Sequence, residues 1–156
     1  MSLFDLRQAL EMVKTCKYFF ATPSVSQTDI ALSEEMLGLE FSLQSKEFYS
    51  YCGYLSFEGN EIFGINPHDN SGILEGNSVA YALYERENFE LPHAWLPVFN
   101  FNNGELAFLD YSDLNEEGEP PVITGYYDGS KYCKNEYIAQ DLGAFLLLLV
   151  KNHLNR

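Results

Sequence analysis

The stretch of sequence that most constrains the fold runs from residue 95 to residue 122. Two apolar runs, residues 95–101 and 106–111, lie on either side of Asn103-Gly104. An Asn-Gly pair between two such runs predicts a β-hairpin, because both residues tolerate the positive φ angles of a tight turn. Both faces of the hairpin are largely apolar, so we expect other elements to cover them. With Asn103 and Gly104 as the central turn residues, the cross-strand pairs are Phe101 with Leu106, Phe99 with Phe108 and Pro97 with Asp110.

The chain turns acidic where the hairpin ends. We call residues 113–119 the exit loop; it contains four acidic residues and leads into Pro120-Pro121. Asp110 ends the second strand, and we expect its carboxylate to accept backbone N–H groups of the following turn. The spacing of the acids matches no EF-hand loop, so no metal site is predicted. The residues expected to have structural roles are Trp95, Asn103, Gly104 and Asp110.

The formal charge of the chain is −14, and most of it comes from the middle of the sequence. Residues 51–130 contain 14 acidic residues and a single Lys or Arg, Arg86. A surface of this sign repels nucleic acid and anionic lipid, and it speeds the encounter with a basic partner. Solubility is the alternative explanation of the same charge. We therefore expect a basic protein partner, and neither nucleic acid nor a membrane.

Cysteine usage and the lengths of the apolar runs indicate a cytoplasmic protein. Cys16, Cys52 and Cys133 are far apart and share no C-x-x-C spacing, so neither a disulfide framework nor a zinc site is predicted. The N-terminus lacks the apolar core of a signal peptide, and the apolar run at 144–150 is far shorter than the roughly 18 residues of a membrane span. No Gly-rich phosphate loop or nucleophile motif is present, so no cofactor and no catalytic residue are predicted.

Periodicity divides the chain into helices, then strands, then a last helix. Apolar residues at three- and four-residue intervals predict a helix from Leu3 to Phe20, within residues 1–25. Ser26 and Ser42 are suited to cap two more within residues 26–53, and Gly38 is suited to end the first of these two. Short runs between turn residues predict a sheet region at 54–130, with a helix near 78–87. Asn135 is predicted to cap a C-terminal helix, residues 135–154. The expected fold is one α+β domain, residues 1–156, with a mixed or mainly antiparallel sheet flanked by N-terminal helices and one C-terminal helix.

Three blocks of residues occur in an order that resembles a known family. The first block is Ile30, Glu34, Leu37-Gly38, Phe41-Ser42, Phe48-Tyr49 and Gly53; the second is residues 95–98, Asn103-Gly104, Leu109-Asp110 and residues 119–122; the third is residues 141–147. Over roughly residues 26–150, their order and spacing resemble the SUKH superfamily. Ser42 departs from the family pattern, which has a proline at this position.

The resemblance implies an α+β fold and a role in binding other proteins. The SUKH superfamily includes fungal cell-wall regulators and bacterial immunity proteins against polymorphic toxins. We therefore expect a non-enzymatic immunity protein, a monomer or weak homodimer, which neutralises a toxin such as a nuclease through its acidic surface. Two alternatives stay open: a regulatory scaffold without toxin inhibition, and a small hydrolase that uses Asp110, Asp113 and either His68 or His93.

Acidic and aromatic residues are the candidates for contact with a partner. Carboxylates suit the Lys and Arg groups of a basic protein, and tyrosines concentrate binding energy at interfaces. The predicted acidic contacts are Glu85, Glu87, Glu90, Asp113, Glu116, Glu117 and Glu119. The predicted aromatic anchors are Tyr81, Tyr84, Tyr111 and Tyr126.

Overall fold

An antiparallel sheet forms the centre of the structure, a computed structural model that describes residues 2–154. Within these residues the sheet has seven strands, and each strand pairs with the next one along the chain. The strands are β1 (Phe20–Ala21), β2 (Leu55–Phe57), β3 (Asn60–Ile62), β4 (Trp95–Asn100), β5 (Leu106–Asp110), β6 (Val122–Tyr127) and β7 (Tyr132–Ala139). The predicted α+β class is confirmed, and the sheet is antiparallel rather than mixed.

The helices cover this sheet and one another. They are α1 (Ser2–Val13), α2 (Gln27–Leu37), α3 (Leu43–Tyr51), α4 (Ser78–Phe89) and α5 (Leu142–Leu154). Helix α4 packs against β4, whereas α5 packs against α1, α3 and β7. Every residue of β5 is buried, and in β4 only Asn100 is partly exposed. The central hairpin is therefore covered on both faces, as its apolar sequence predicts. No helix in residues 2–154 has the length and apolar character of a membrane span.

Local capping chemistry fixes the first helices. The Ser26 hydroxyl accepts the N–H of Asp29 at 3.1 Å, and the Ser42 hydroxyl accepts the N–H of Ser45 at 3.3 Å. Each bond satisfies an N–H group that a helix start leaves without a partner. Helix α1 ends at Val13, earlier than predicted, because the chain turns and Phe20 pairs with Ser56 in the sheet.

The hairpin forms, but its predicted register is wrong. Trp95 pairs with Asp110 and Pro97 with Phe108, and a register shift follows between Pro97 and Phe99. The connection is a five-residue loop, residues 101–105, rather than a two-residue turn. Asparagine side chains stabilise this wider loop, since the oxygens of Asn100 and Asn103 accept backbone N–H groups two residues ahead, at 2.8 and 3.0 Å. The observed pairs are Trp95 with Asp110, Leu96 with Leu109, Pro97 with Phe108, Phe99 with Ala107 and Asn100 with Leu106.

The predicted start of the last helix is also wrong. Residues 132–139 form β7, which pairs with β6 along its length with two register shifts. Helix α5 begins at Leu142, and Asp141 caps it by accepting the N–H of Ala144 at 2.8 Å. Both Asn135 and Asp141 are suitable caps in the sequence, and pairing with β6 decides between them. Residues 1, 155 and 156 of the predicted domain lie outside the described part of the chain.

Candidate binding surface

Helix α4 carries one set of the predicted contact residues and is held firmly against the sheet. The side-chain oxygen of Asn77 accepts the N–H groups of Val79 and Ala80, at 3.2 and 3.4 Å. The Ser78 hydroxyl donates to the carbonyl of Pro97 at 2.5 Å, and Val79 is 1% exposed. These contacts fix one side of the helix on β4. The other side faces outward with Tyr84, Glu85, Glu87 and Glu90, the residue that ends the helix at φ 53°.

Arg86 interrupts this acidic sequence but does not neutralise it. Its guanidinium donates to the carbonyl of Leu37 at 2.8 Å and to the carbonyl of His93 at 2.8 Å. Burial lowers the pKa of Arg86. The guanidinium thus joins α2 to the segment after α4, and among residues 2–154 no ion pair reaches Glu87 or Glu90, which are both exposed.

A series of aromatic rings connects the buried hairpin to the surface beside these glutamates. Trp95 lies 5.1 Å from Phe108 and 6.2 Å from Tyr132, measured between ring centroids. Tyr132 contacts Tyr127, Tyr127 contacts Phe89, and Phe89 contacts Tyr84, at 5.6, 5.0 and 6.4 Å. Exposure rises outward, to 37% at Tyr127 and 46% at Tyr84. We define the α4 patch as Tyr84, Glu85, Glu87, Phe89, Glu90 and Tyr127.

Glu85 links the α4 patch to β7. The hydroxyl of Tyr132 donates to the Glu85 carboxylate. Burial, and then this hydrogen bond, raise the pKa of Tyr132. Glu85 therefore positions the rings, and Glu87 and Glu90 are the carboxylates of the patch that remain available to a partner.

The other predicted aromatic anchors have different environments. Tyr81 is half-buried against Phe63, with ring centroids 5.8 Å apart, and burial raises the pKa of Tyr81 to about 12. The Tyr111 hydroxyl accepts the N–H of Ser42 at 3.3 Å and lies 3.0 Å from the hydroxyl of Ser45. This hydroxyl therefore makes its hydrogen bonds within the protein. Tyr126 is 37% exposed and lines a groove of about 340 Å³ beside the hairpin loop.

The exit loop is organised by its own polar side chains. The Asp110 carboxylate accepts the N–H of Ser112 at 3.0 Å and its hydroxyl at 2.6 Å, which is the turn contact expected from the sequence. The side-chain oxygen of Asn115 accepts the N–H groups of Glu117 and Glu119, at 2.9 and 3.0 Å. Three acidic side chains of the loop are left exposed: Asp113, Glu116 and Glu117.

Glu119 does not belong to the exposed acidic surface, which corrects the expectation that it contacts a partner. The residue is 2% exposed, and its carboxylate accepts the N–H of Gln44 at 3.2 Å. Gln44 lies in the first turn of α3, where unpaired N–H groups and the helix dipole favour a carboxylate. Finding this role from the sequence would have required knowing that α3 lies against the end of the exit loop.

The structure brings the entry to the exit loop and the segment between α4 and β4 to the same end of the hairpin. Trp95 pairs with Asp110, and the N–H of Tyr111 donates to the carbonyl of Ala94 at 2.8 Å. The segment between α4 and β4 is therefore bonded to the chain that enters the exit loop. Tyr126 lies at the other end of the hairpin, where it lines the groove beside residues 103–105 together with Tyr127 of the α4 patch.

The residues of the alternative hydrolase hypothesis are not joined to one another. The Nε2 atom of His68 lies 2.8 Å from Asp29, and the Asp110 carboxylate bonds to Ser112. His93 lies beside Gly38, where an added Cβ would stand 3.0 Å from the His93 ring. Neither histidine has a hydrogen bond to Asp110 or Asp113 within residues 2–154. In that part of the chain there is also no group of three or more His, Cys, Asp or Glu suited to a metal ion.

A polar groove of about 560 Å³ is a feature that sequence reasoning missed. It lies between residues 22–29 and residues 65–77 and has three acidic residues in its lining, with no Lys or Arg. Each carboxylate already has a partner: Asp29 has His68, Asp69 accepts the N–H of Ser71, and Glu75 accepts from Asn100. Two segments that are distant in sequence come close together at their glycines beside the groove. A Cβ on Gly64 would stand only 1.6 Å from the carbonyl oxygen of Gly53, so position 64 has no room for a larger residue.

The fold and these surfaces define an α+β domain with an acidic, partly aromatic exterior. A family model described as SMI1-KNR4 cell-wall matches residues 27–146, which is more than half of the chain. The chain therefore belongs to the SUKH superfamily, as the resemblance of its three blocks predicts. A search of curated proteins found no match. Membership of this family supports an immunity or regulatory domain, a class that is generally non-enzymatic.

Proposed function

We propose that this protein is an immunity protein that binds and neutralises a basic toxin through the α4 patch. The observation that carries the proposal is the placement of Arg86, whose guanidinium donates hydrogen bonds to two backbone carbonyls rather than to a carboxylate. This leaves Glu87 and Glu90 exposed without a cation among the described residues. The family supports an immunity or regulatory domain in general, and the charge of the patch supports a basic partner.

Electrostatic complementarity supplies the first part of the mechanism. A nuclease holds phosphate groups with Lys and Arg side chains, and unpaired carboxylates are suited to occupy the same side chains. Glu87 and Glu90 would make these contacts, and an acidic field around them would speed the encounter. The exposed acids of the exit loop would add to this acidic field.

Aromatic rings supply the second part. Tyr84 and Tyr127 are partly exposed, and Phe89 packs between them with centroids 6.4 and 5.0 Å away. Rings that are held in place before binding lose little conformational freedom when a partner covers them. The patch therefore combines aromatic rings that are held in place with carboxylates that have no ion pair among the residues that the structure describes. This combination suits a partner whose surface is basic and has few tightly bound water molecules.

The direct test is inhibition of a purified partner. We expect a neighbouring reading frame to encode a large protein that ends in a toxin domain, and this domain would be purified and assayed with and without the present protein. Binding together with loss of toxin activity supports the proposal. Binding without loss of activity would favour the regulatory role that the family also includes, and absence of binding would contradict both.

Charge reversal tests the surface itself. The double variant Glu87→Lys/Glu90→Lys should weaken binding and reduce its dependence on salt concentration, measured by calorimetry at low and high salt. A matched control is Glu35→Lys/Glu40→Lys, because both residues are exposed glutamates outside the patch. Equal affinity and salt dependence for the two double variants would contradict the α4 patch as the binding surface while leaving inhibition open to another face.

A further inference from the structure

A further groove lies between the exit loop and the edge strand β7, and we call it the exit-loop groove. Its volume is about 280 Å³, and it is lined by Asp113, Leu114, Asn115, Pro121, Tyr137 and Gln140. Sites for drug-sized molecules typically have volumes of roughly 300–1,000 Å³, so this groove is small for such a ligand. It is suited instead to one side chain of a protein partner.

Two exposed apolar side chains that are distant in sequence line the exit-loop groove. Leu114 of the exit loop is 51% exposed, and Tyr137 of β7 is 60% exposed. A single exposed apolar side chain is common on protein surfaces and needs no explanation. Here two of them line the same groove, so a partner that fills it removes both from water at once. That burial favours binding.

Hydrogen bonds hold the exit loop in the conformation that forms the groove. The N–H of Asp113 donates to the carbonyl of Asp110 at 3.3 Å. The N–H of Asn115 donates to the carbonyl of Glu119 at 2.9 Å, and the Glu119 carboxylate accepts an N–H of α3. Leu114 is thus kept at the surface in the free protein. Binding then does not have to order the loop, which lowers its entropic cost.

The exit loop around the groove is acidic. Asp113, Glu116 and Glu117 are exposed, and none of them forms an ion pair within residues 2–154. Against these three negative charges stands one exposed cation of β7, Lys134, so the local charge stays negative. A second copy of this chain, with its formal charge of −14, would bring like charges to this surface. The charge therefore favours a basic partner.

The register of the sheet places Tyr137 on the same face as the rings that lead to the α4 patch. Tyr137 pairs with Ile123, and Ile123 pairs with Phe108, whose ring contacts Trp95 and Tyr132. Tyr132 and Tyr137 are five residues apart on β7, which is no more than about 17 Å along a strand. A standard interface covers about 800 Å² of each protein, a patch roughly 30 Å across, so one partner is able to contact both.

We propose that the exit-loop groove receives an apolar side chain of a basic protein partner, at a point where Lys or Arg residues flank that side chain. Leu114 and Tyr137 contact the apolar side chain, and Asp113, Glu116 and Glu117 contact its basic neighbours. That this partner is the toxin bound by the α4 patch rests on the proposed function. The preference of the groove for an apolar side chain between cations does not.

A peptide titration tests this preference without any toxin. The peptides Lys-Lys-Leu-Lys-Lys and Lys-Lys-Ser-Lys-Lys have the same charge, and each is added at millimolar concentration to the isotope-labelled wild-type protein. In amide NMR spectra, the leucine peptide should shift the signals of Leu114 and Tyr137 more than the serine peptide does, and high salt should reduce these shifts. Equal shifts for the two peptides, or no shift at these two amides, would overturn the proposal.

Two matched double variants measure the contribution of the groove to a toxin complex. Leu114→Ala/Tyr137→Ala removes the apolar side chains of the groove. Leu148→Ala/Phe4→Ala removes an aliphatic and an aromatic side chain that are exposed elsewhere, by 51% and 66%. Calorimetry with the purified toxin domain should show about a tenfold loss of affinity for the first variant and an unchanged affinity for the second.

The outcomes separate this proposal from the proposed function. Equal affinities for the two double variants would contradict the groove as a contact with the toxin and leave the α4 patch in place. A toxin domain that does not bind the wild-type protein would contradict the proposed function, and the peptide titration alone would then decide whether the groove has the preference proposed for it.

Discussion

The α4 patch has three acidic residues and the exit loop has four, yet the protein uses their carboxylates in different ways. In the exit loop, Asn115 and Asp110 hold the backbone, and Glu119 turns inward to the start of α3. In the α4 patch, Glu87 and Glu90 are exposed and have no ion pair within residues 2–154, and the neighbouring Arg86 donates to backbone carbonyls instead. The number of charged residues in a stretch of sequence therefore does not give the charge of the surface that it forms. What matters is where each cation and each capping group is bound.

The largest effect is expected at Trp95, the residue on which both regions depend. Trp95 pairs with Asp110, contacts Phe108 and Tyr132, and is 8% exposed. Trp95→Ala should lower the free energy of unfolding by about 3–5 kcal/mol, because it leaves a large cavity. Urea denaturation measures the loss, and Trp95→Phe, which keeps a ring, should lose clearly less. Similar losses for both variants would show that the ring contacts matter little.

A smaller loss of stability is expected at Arg86. Arg86→Met retains most of the side-chain volume but leaves the carbonyls of Leu37 and His93 without their donor. We expect about 1–3 kcal/mol of destabilisation by urea denaturation. Affinity for a basic partner should not fall, since the carboxylates of the α4 patch keep their charge. A weaker complex at unchanged stability would indicate that Arg86 itself touches the partner.

Separate charge reversals compare the two regions as binding surfaces. Glu87→Lys/Glu90→Lys should weaken a toxin complex by about tenfold, or roughly 1.4 kcal/mol. Glu116→Lys/Glu117→Lys should weaken it less, because the exit loop lacks the exposed aromatic rings of the α4 patch. Calorimetry on both variants against the same toxin domain gives the ranking. The reverse ranking would move the main contact to the exit loop.

The smallest effect is expected within the exit loop. Asn115→Ala removes the oxygen that accepts the N–H groups of Glu117 and Glu119. Since the loop is exposed and water can replace one partner, we expect a loss of about 0.5–1.5 kcal/mol. Thermal unfolding measures it, with Asn115→Asp as the control that keeps the acceptor. A loss as large as that of Trp95→Ala would mean that the loop organises the core.

Local chemistry explains what could be predicted from the sequence. The caps at Ser26 and Ser42, the terminal Gly38 and the existence of the hairpin depend on neighbouring residues, so short-range patterns were sufficient. The α+β class followed from the same patterns, and the matched family model agrees with the order of the three blocks.

Long-range pairing explains what could not be predicted. The shift between Pro97 and Phe99, and the choice of strand rather than helix at Asn135, are set by partner strands distant in sequence. The sequence predicts Glu119 to be an exposed acid like its neighbours, because its actual partner is far away in sequence. That partner is the N–H of Gln44 in α3, 75 residues earlier. The groove between residues 22–29 and 65–77 likewise has no signal in either segment alone.

The edge strand β7 affects whether two copies of the protein can associate by extending the sheet. An eight-residue edge invites a second copy to extend the sheet, but two register shifts and the exposed Lys134 and Glu136 interrupt the flat row of backbone groups that such pairing needs. Self-association through this edge is therefore disfavoured. For the toxin partner proposed above, we therefore expect a complex with one copy of each protein rather than one built on a sheet shared between two copies of this chain.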